Sequence, residues 1–554
     1  MAKRFAIIFF ITIGSVLFIL TSTVLVMFLA PGAEILGLRY ITTDSHPVKK
    51  NIDLSYTYGD DFNGSMEVYA NEIQINVCFY SGLQYKIEYY DNYSGVTDSK
   101  NVDPDLDLEL KEDGSLQIKV QEYNTVIFRS SNTIRYLNIY IPIDFVSVVK
   151  NADKLYRFDR VEEFGNSKAY ETDLKIYTKS SLIKFEQDKF SSYIPTFRTL
   201  RIETDGQIDT EGGQIKCLNY ELSTGNSVEI SSYPGTRINA LNYDIVAGGS
   251  IKFYSVVSGN ISAESKHGDI LFTRCVNFKA RTDIGRIGAS TADGTRILGT
   301  VDIATYSGNV NINNIEGSGT SKIETVSGDV VINKVENASS CKVSSRRGFV
   351  SIGNSKNVEI VADIGTVRVD EATQSLNIKT IRGKVFAGSE EKEINNLTVE
   401  TVLGAVEAKN VVGEVSVKTA ESNANVIGKA ITQTNIDVGG SLYISGVAGA
   451  TNITVQDSAE IWFKKDVAIS AETNITAGSG CKNLVVYLPG NSIERTRYVI
   501  DVASVNAYFA NEQAFETFTK RDGFAKNNSP TTPGVPLLKI TGESADLSIY
   551  FKSR

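Results

Sequence analysis

Between Val301 and Ala408 one short pattern recurs six times. It is anchored on Gly308, Gly328, Gly348, Gly365, Gly383 and Gly404, at spacings of 20, 20, 17, 18 and 21 residues. Two residues after each glycine stands Val310, Val330, Val350, Val367, Val385 or Val406, and two further on Ile312, Ile332, Ile352, Val369, Ala387 or Ala408. Five residues before it stands Ile303, Ile323, Val343, Ile360, Ile378 or Val399. Three before it the residue is small: Thr305, Thr325, Ser345, Ala362, Thr380 or Thr401. A unit of about 20 residues with apolar positions at period two predicts a β-solenoid. Strand side chains alternate between faces, so these four positions share one face and stack into an interior column. One coil cannot bury its apolar face alone, so the coils must stack. The glycines predict corners with positive φ or close backbone approach. The hydroxyls three residues before them are expected to bond from coil to coil.

Weaker copies surround Gly268 and Gly285, and the end of the chain fits the template around Ala545. The solenoid is therefore expected over residues 197–480, as about 13 or 14 coils rising about 4.8 Å each. Few prolines and many Val, Ile, Thr and Tyr fit an all-β chain. A net charge of −9 with no long basic run predicts no nucleic-acid partner. Cys78, Cys217, Cys275, Cys341 and Cys481 lie far apart and lack CxxC spacing, which predicts neither a metal site nor a disulfide framework. A single bridge between distant cysteines stays open.

The N-terminus carries a second signal. After a stub, residues 1–4, the segment Phe5 to Ala30 holds 26 residues without a charge, a helix of roughly 39 Å. It is too long for the apolar core of a removed signal, and Pro31 spoils the cleavage site, which predicts an uncleaved signal anchor. Lys3 and Arg4 predict a cytoplasmic N-terminus, with the bulk of a single-pass protein outside the cell membrane. Residues 31–47 read as a linker.

Residues 48–196 are β-rich without the repeat and read as a sandwich-like module capping the solenoid. Leu106, Leu108 and Leu110 alternate with acids, and Asp113-Gly114 turns into Leu116-Gln-Ile-Lys-Val120, a hairpin signal. Residues 481–554 read as a mixed C-terminal cap, with a helix expected over Asn506 to Lys520.

The run Asp113-Gly-Ser-Leu-Gln-Ile-Lys-Val120, then Leu137-Asn-Ile-Tyr-Ile-Pro142, then the reiterated Ile323-Glu-Thr-Val-Ser-Gly-Asp-Val330 resembles a bacterial adhesin-like β-helix family of unknown function. The resemblance covers residues 105–480. It implies a membrane-anchored or secreted surface protein and says little about activity.

Chemistry is sparse in the sequence. His46 and His267 have no ligand-spaced neighbour, and no nucleophile elbow, zinc-protease or phosphate-loop motif is present. Asp103, Asp105, Asp107 and Glu109 are explained by strand alternation and lack the turn glycine of a calcium loop. Catalysis on polysaccharide would need carboxylates on one surface. The outward positions four before and three after the glycines show no such column: Ala304, Glu324, Ser344, Val361, Lys379, Glu400, then Asn311, Val331, Ser351, Arg368, Phe386, Glu407. Tyr56, Tyr58, Phe79, Tyr80, Tyr85, Tyr89, Tyr90 and Tyr93 offer an aromatic binding patch if exposed. The reading that results is a non-enzymatic surface adhesion or scaffold protein, with no catalytic, cofactor or metal residues. Its expected partners are the membrane, through residues 5–30, and a protein or cell-surface glycan, with a homo-oligomer also open. The alternatives are an extracytoplasmic subunit of a membrane assembly and a polysaccharide-binding or -degrading β-helix.

Overall fold

The computed structural model describes residues 2–29, 34–35, 38–42, 48–92, 94–98, 105–120, 125–129, 134–142, 147–149, 172–187, 193–210, 213–230, 238–254, 257, 259–337, 340–464, 469, 472–489, 496–509, 512–519 and 536–552. Among the described residues the chain is all-β apart from a helix at Ala2–Leu29 and two short helical turns. Side chains of that first helix are described at 9–23 and at Leu25 and Val26. Among the described residues no helix is long and apolar enough to cross a membrane. The expected spanning helix is thus not established by the fold. The chain forms two compact units, Met1–Ser262 and Ala263–Arg554.

In the second unit the repeat stacks in parallel register. Ile303 pairs with Ile323, Ile323 with Val343, Val343 with Ile360, Ile360 with Ile378 and Ile378 with Val399. Past the glycine, Val310, Val330, Val350, Val367, Val385 and Val406 make a second column in the same way. All twelve side chains are buried. Each fully buried Ile or Val contributes about 1.5–3 kcal/mol relative to exposure, so the twelve together are a large stabilising term.

The expected hydroxyl ladder is not formed. Thr305, Thr325, Ser345 and Thr380 are buried in register, yet their hydroxyls have no hydrogen-bond partner. Parallel coils stand about 4.8 Å apart, beyond hydroxyl reach unless the side chains lean towards each other. Only at the flanks do hydroxyls of this column bond, and they bond backbone: Thr401 Oγ1 accepts from the Gly404 N–H at 3.0 Å, and Thr282 Oγ1 donates to the Gly268 carbonyl at 3.2 Å.

The end of this unit departs from chain order. The final strand, Leu537–Lys552, pairs in parallel with Thr473–Ala477 and Asn483–Pro489 on one side and with Arg497–Phe509 on the other. The last segment therefore fills a slot that the chain had left open. Glu512–Thr519 then lies antiparallel on Arg497–Phe509. This corrects the helix expected over Asn506 to Lys520. Aromatic residues at short spacing suit either element, and pairing with neighbouring strands decided it.

The first unit shows the same device near its first strands. Met66–Tyr69 lies in parallel between Leu116–Val120 and Asp173–Tyr177, while Gln74–Tyr80 lies between Arg135–Pro142 and Ile183–Gln187. Parallel stacking then continues through Tyr193–Glu203, Ile215–Thr224 and Ile238–Ala247. It therefore reaches back to Met66, deep inside the stretch read as a sandwich-like module. Antiparallel strands close this end: Leu106–Leu110 on Leu116–Val120, as the Asp-Gly turn predicts, and Lys86–Asp91 on Arg135–Pro142. There Arg135 and Asp91, both with fully buried side chains, pair at 2.8 Å, and the Tyr89 hydroxyl donates to the same carboxylate oxygen at 2.6 Å.

Candidate binding ridge

The six anchor glycines form one column in the second unit. The Gly328 N–H donates to the Arg347 carbonyl at 3.0 Å, Gly348 to Ile364 at 3.1 Å and Gly365 to Arg382 at 2.9 Å. These bonds draw the corners together until no side chain fits between them. A β-carbon on Gly383 would stand 1.7 Å from the Gly365 carbonyl oxygen, and one on Gly365 would stand 1.9 Å from that of Gly348. At Gly348, Gly365 and Gly383 φ is +146°, +148° and +149°, a conformation side-chain-bearing residues avoid.

The turn leaves the residues flanking each glycine on the outside. At the position just before it, Ser307 pairs with Ser327, Ser327 with Arg347, Arg347 with Ile364, and Ile364 with Arg382. One position earlier come Tyr306, Val326, Arg346, Asp363, Ile381 and Val402. Tyr306 is 65% exposed, Ile364 and Ile381 each 48%, and Val402 and Leu403 are also exposed. Phe349 and Lys384 flank the same corner on its far side. Isolated exposed apolar residues need no explanation, but Ile364, Ile381 and the pair Val402 and Leu403 recur on three successive coils along one edge.

Charge separates this edge from the strand faces. On the faces several cations are matched, Lys322 with Glu324 at 3.0 Å, Lys342 with Glu359 at 2.9 Å, Arg368 with Asp370 at 2.9 Å and Lys379 with Glu400 at 3.4 Å, while Lys356 and Lys418 stand singly among the described residues. Arg346, Arg347, Arg382 and Lys384 form no ion pair with any described residue. Of the positions four before and three after the glycines, where no carboxylate column was expected, Glu324, Arg368, Lys379 and Glu400 hold surface ion pairs. The edge itself lies at positions that alternation treats as turn. The available signal was apolar residues, Ile364, Ile381, Val402 and Leu403, where a turn calls for polar ones.

The other candidates disperse. Among the described residues no three His, Cys, Asp or Glu side chains group as a metal site. His267 is exposed, and His46 lies outside the described residues. Of the acidic alternation, Asp103 is outside the described residues, while Asp105 accepts from the Lys50 ammonium, whose hydrogen bond holds its carboxyl below the usual range. Among the N-terminal aromatics, Phe79, Tyr85 and Tyr89 are buried, Tyr58, Tyr80 and Tyr90 are half-buried, Tyr56 is exposed, and Tyr93 is not among the described residues. Near the other end of the chain Trp462 stacks on Tyr487 at 3.6 Å and Tyr487 on Tyr550 at 4.8 Å between ring centroids. Stacking covers the ring faces between these residues that a sugar would need. All five cysteines are free, and burial pushes the Cys341 thiol up to about 12.

The Toastrack DUF4097 family model matches residues 64–359, more than half of the chain. The chain belongs to this family. The Toastrack match begins two residues before the Met66–Tyr69 strand, the first to enter the parallel stack, and it takes in the first three anchor glycines. Among solved structures, the chain is similar to a protein named for cell adhesion from Clostridium sporogenes ATCC 15579. Identity is 10% and the TM-score 0.22, with 44% of this chain and 97% of that one covered. It is also similar to a protein named as an adhesin from Parabacteroides distasonis ATCC 8503, at 12% identity and a TM-score of 0.19, covering 65% of this chain and 96% of that one. No curated protein matches it.

Proposed function

We propose that this Toastrack protein is a non-enzymatic surface adhesion or scaffold protein, held in the cell membrane by its N-terminal helix with residues beyond it outside. The observation that carries the reading is the ridge: exposed apolar side chains and unmatched cations repeated along the corner of a stacked, rigid frame. Such a surface suits recognition, whereas chemistry needs convergent groups. The anchor is supported by the uncharged run Phe5 to Ala30 and by the exposed rings of Phe9, Phe10 and Phe18 on the helix Ala2–Leu29.

Protease treatment of intact cells, with alkaline extraction of their membranes, tests this. The expected result is digestion of the tagged C-terminus from outside and retention of the N-terminal segment in the membrane. A chain protected in intact cells, or released by alkaline washing, would overturn the reading. The same ridge also suits a subunit of a larger membrane assembly. A stoichiometric partner surviving mild detergent extraction would favour that form.

A further inference from the structure

We infer that the ridge receives an extended acidic polypeptide that carries apolar residues between its acids, presented by a partner protein. The inference rests on the recognition role proposed above and names its ligand chemistry. Two features point the same way. Arg346, Arg347, Arg382 and Lys384 stand on two coils, with one coil between, without an ion-pair partner among the described residues, in a chain whose net charge is −9. Cations that cluster without carboxylate partners form a complement to an acidic ligand. Between them lie Ile364 and Ile381, each 48% exposed, with Val402 and Leu403 on the next coil.

Geometry sets the footprint. Arg347, Ile364 and Arg382 are successive partners in one register column, so the two arginines are about 10 Å apart at roughly 4.8 Å per coil. An extended peptide in the polyproline II form advances about 3.1 Å per residue with three residues per turn, so acids three residues apart lie on one face and match that distance. The residues between them meet Ile364. An anionic polysaccharide would use the cations but gain nothing from four exposed aliphatic side chains. Arginine with apolar neighbours is instead the composition of protein interfaces.

The experiment uses the full chain in mild detergent. Its probes are a 12-residue peptide repeating glutamate-leucine-leucine, a polyglutamate of equal length, and polygalacturonate, each titrated by fluorescence anisotropy. The Glu/Leu peptide is expected to bind most tightly, with affinity falling as salt rises. Arg346→Glu with Arg347→Glu is expected to weaken it at least tenfold, and Ile364→Ser with Ile381→Ser also tenfold, at unchanged thermal midpoint. Equal binding by all three probes with no effect of the Ile364/Ile381 pair would overturn the inference in favour of an anionic glycan. Failure of every probe to bind, or binding indifferent to both pairs, would overturn it outright. None of these results bears on protease exposure at the cell surface, so the two readings fail separately.

Discussion

The carbonyl oxygen of Gly365 occupies the space that a β-carbon on Gly383 would need, at a separation of 1.7 Å. Each corner glycine of this column is locked by the one before it, and the ridge residues on either side depend on that lock. Gly383→Ala must either move the corner away from Gly365 or abandon its φ of +149°. The expected cost is about 2–4 kcal/mol, read as a lowered denaturation midpoint at unchanged slope. A cost near that of an ordinary surface substitution would show that the corners are not packed as described.

The buried hydroxyls make an opposite prediction. Thr325 lies between Thr305 and Ser345 in register, and none of the three hydroxyls has a hydrogen-bond partner. Replacing Thr325 by valine keeps the shape and removes an unsatisfied polar group, so Thr325→Val should raise stability by about 1 kcal/mol. Denaturant titration reads the sign, and a loss of stability would mean that the hydroxyl is bonded after all.

Acid should weaken the first unit through Glu67. Lys175 donates to Glu67 at 2.8 Å across strands 108 residues apart in sequence, and Lys111 donates to its other oxygen. Partial burial raises the carboxyl's pKa, but the two lysines outweigh it and hold the group below its usual range. A lowered folded value means that the stabilisation is full above the unfolded value, about 4.3, and is lost as pH falls through the folded one. Glu67→Gln should cost about 2 kcal/mol at neutral pH and flatten the loss of stability below pH 4. An unchanged acid slope would show that Glu67 does not control it.

The sequence is most legible where the same environment recurs. Val310, Val330 and Val350 announce an inward column because each faces the same neighbours above and below. The place of Met66–Tyr69 was not legible, because its neighbours come from residues 116–120 and 173–177 and nothing local encodes that adjacency. Likewise Leu537–Lys552 reads as one more strand, and its slot beside Arg497–Phe509 is set by pairing distant in sequence. The apolar part of the ridge is illegible for a different reason. Its residues lie at the turn, where alternation stops and exposure depends on how the corner is thrown outward. The glycines themselves were visible, but the stacking of each on the previous carbonyl appears only once the coils are in place.

Site-specific photocrosslinking in living producer cells tests the recognition role of the ridge most directly. A photoreactive residue at Ile381, on the ridge, is compared with one at Lys379, two residues earlier in the same strand and paired with Glu400 on the strand face. The account predicts a discrete protein adduct from position 381 and none from 379. Adducts from 379 alone, or none from 381, would contradict it.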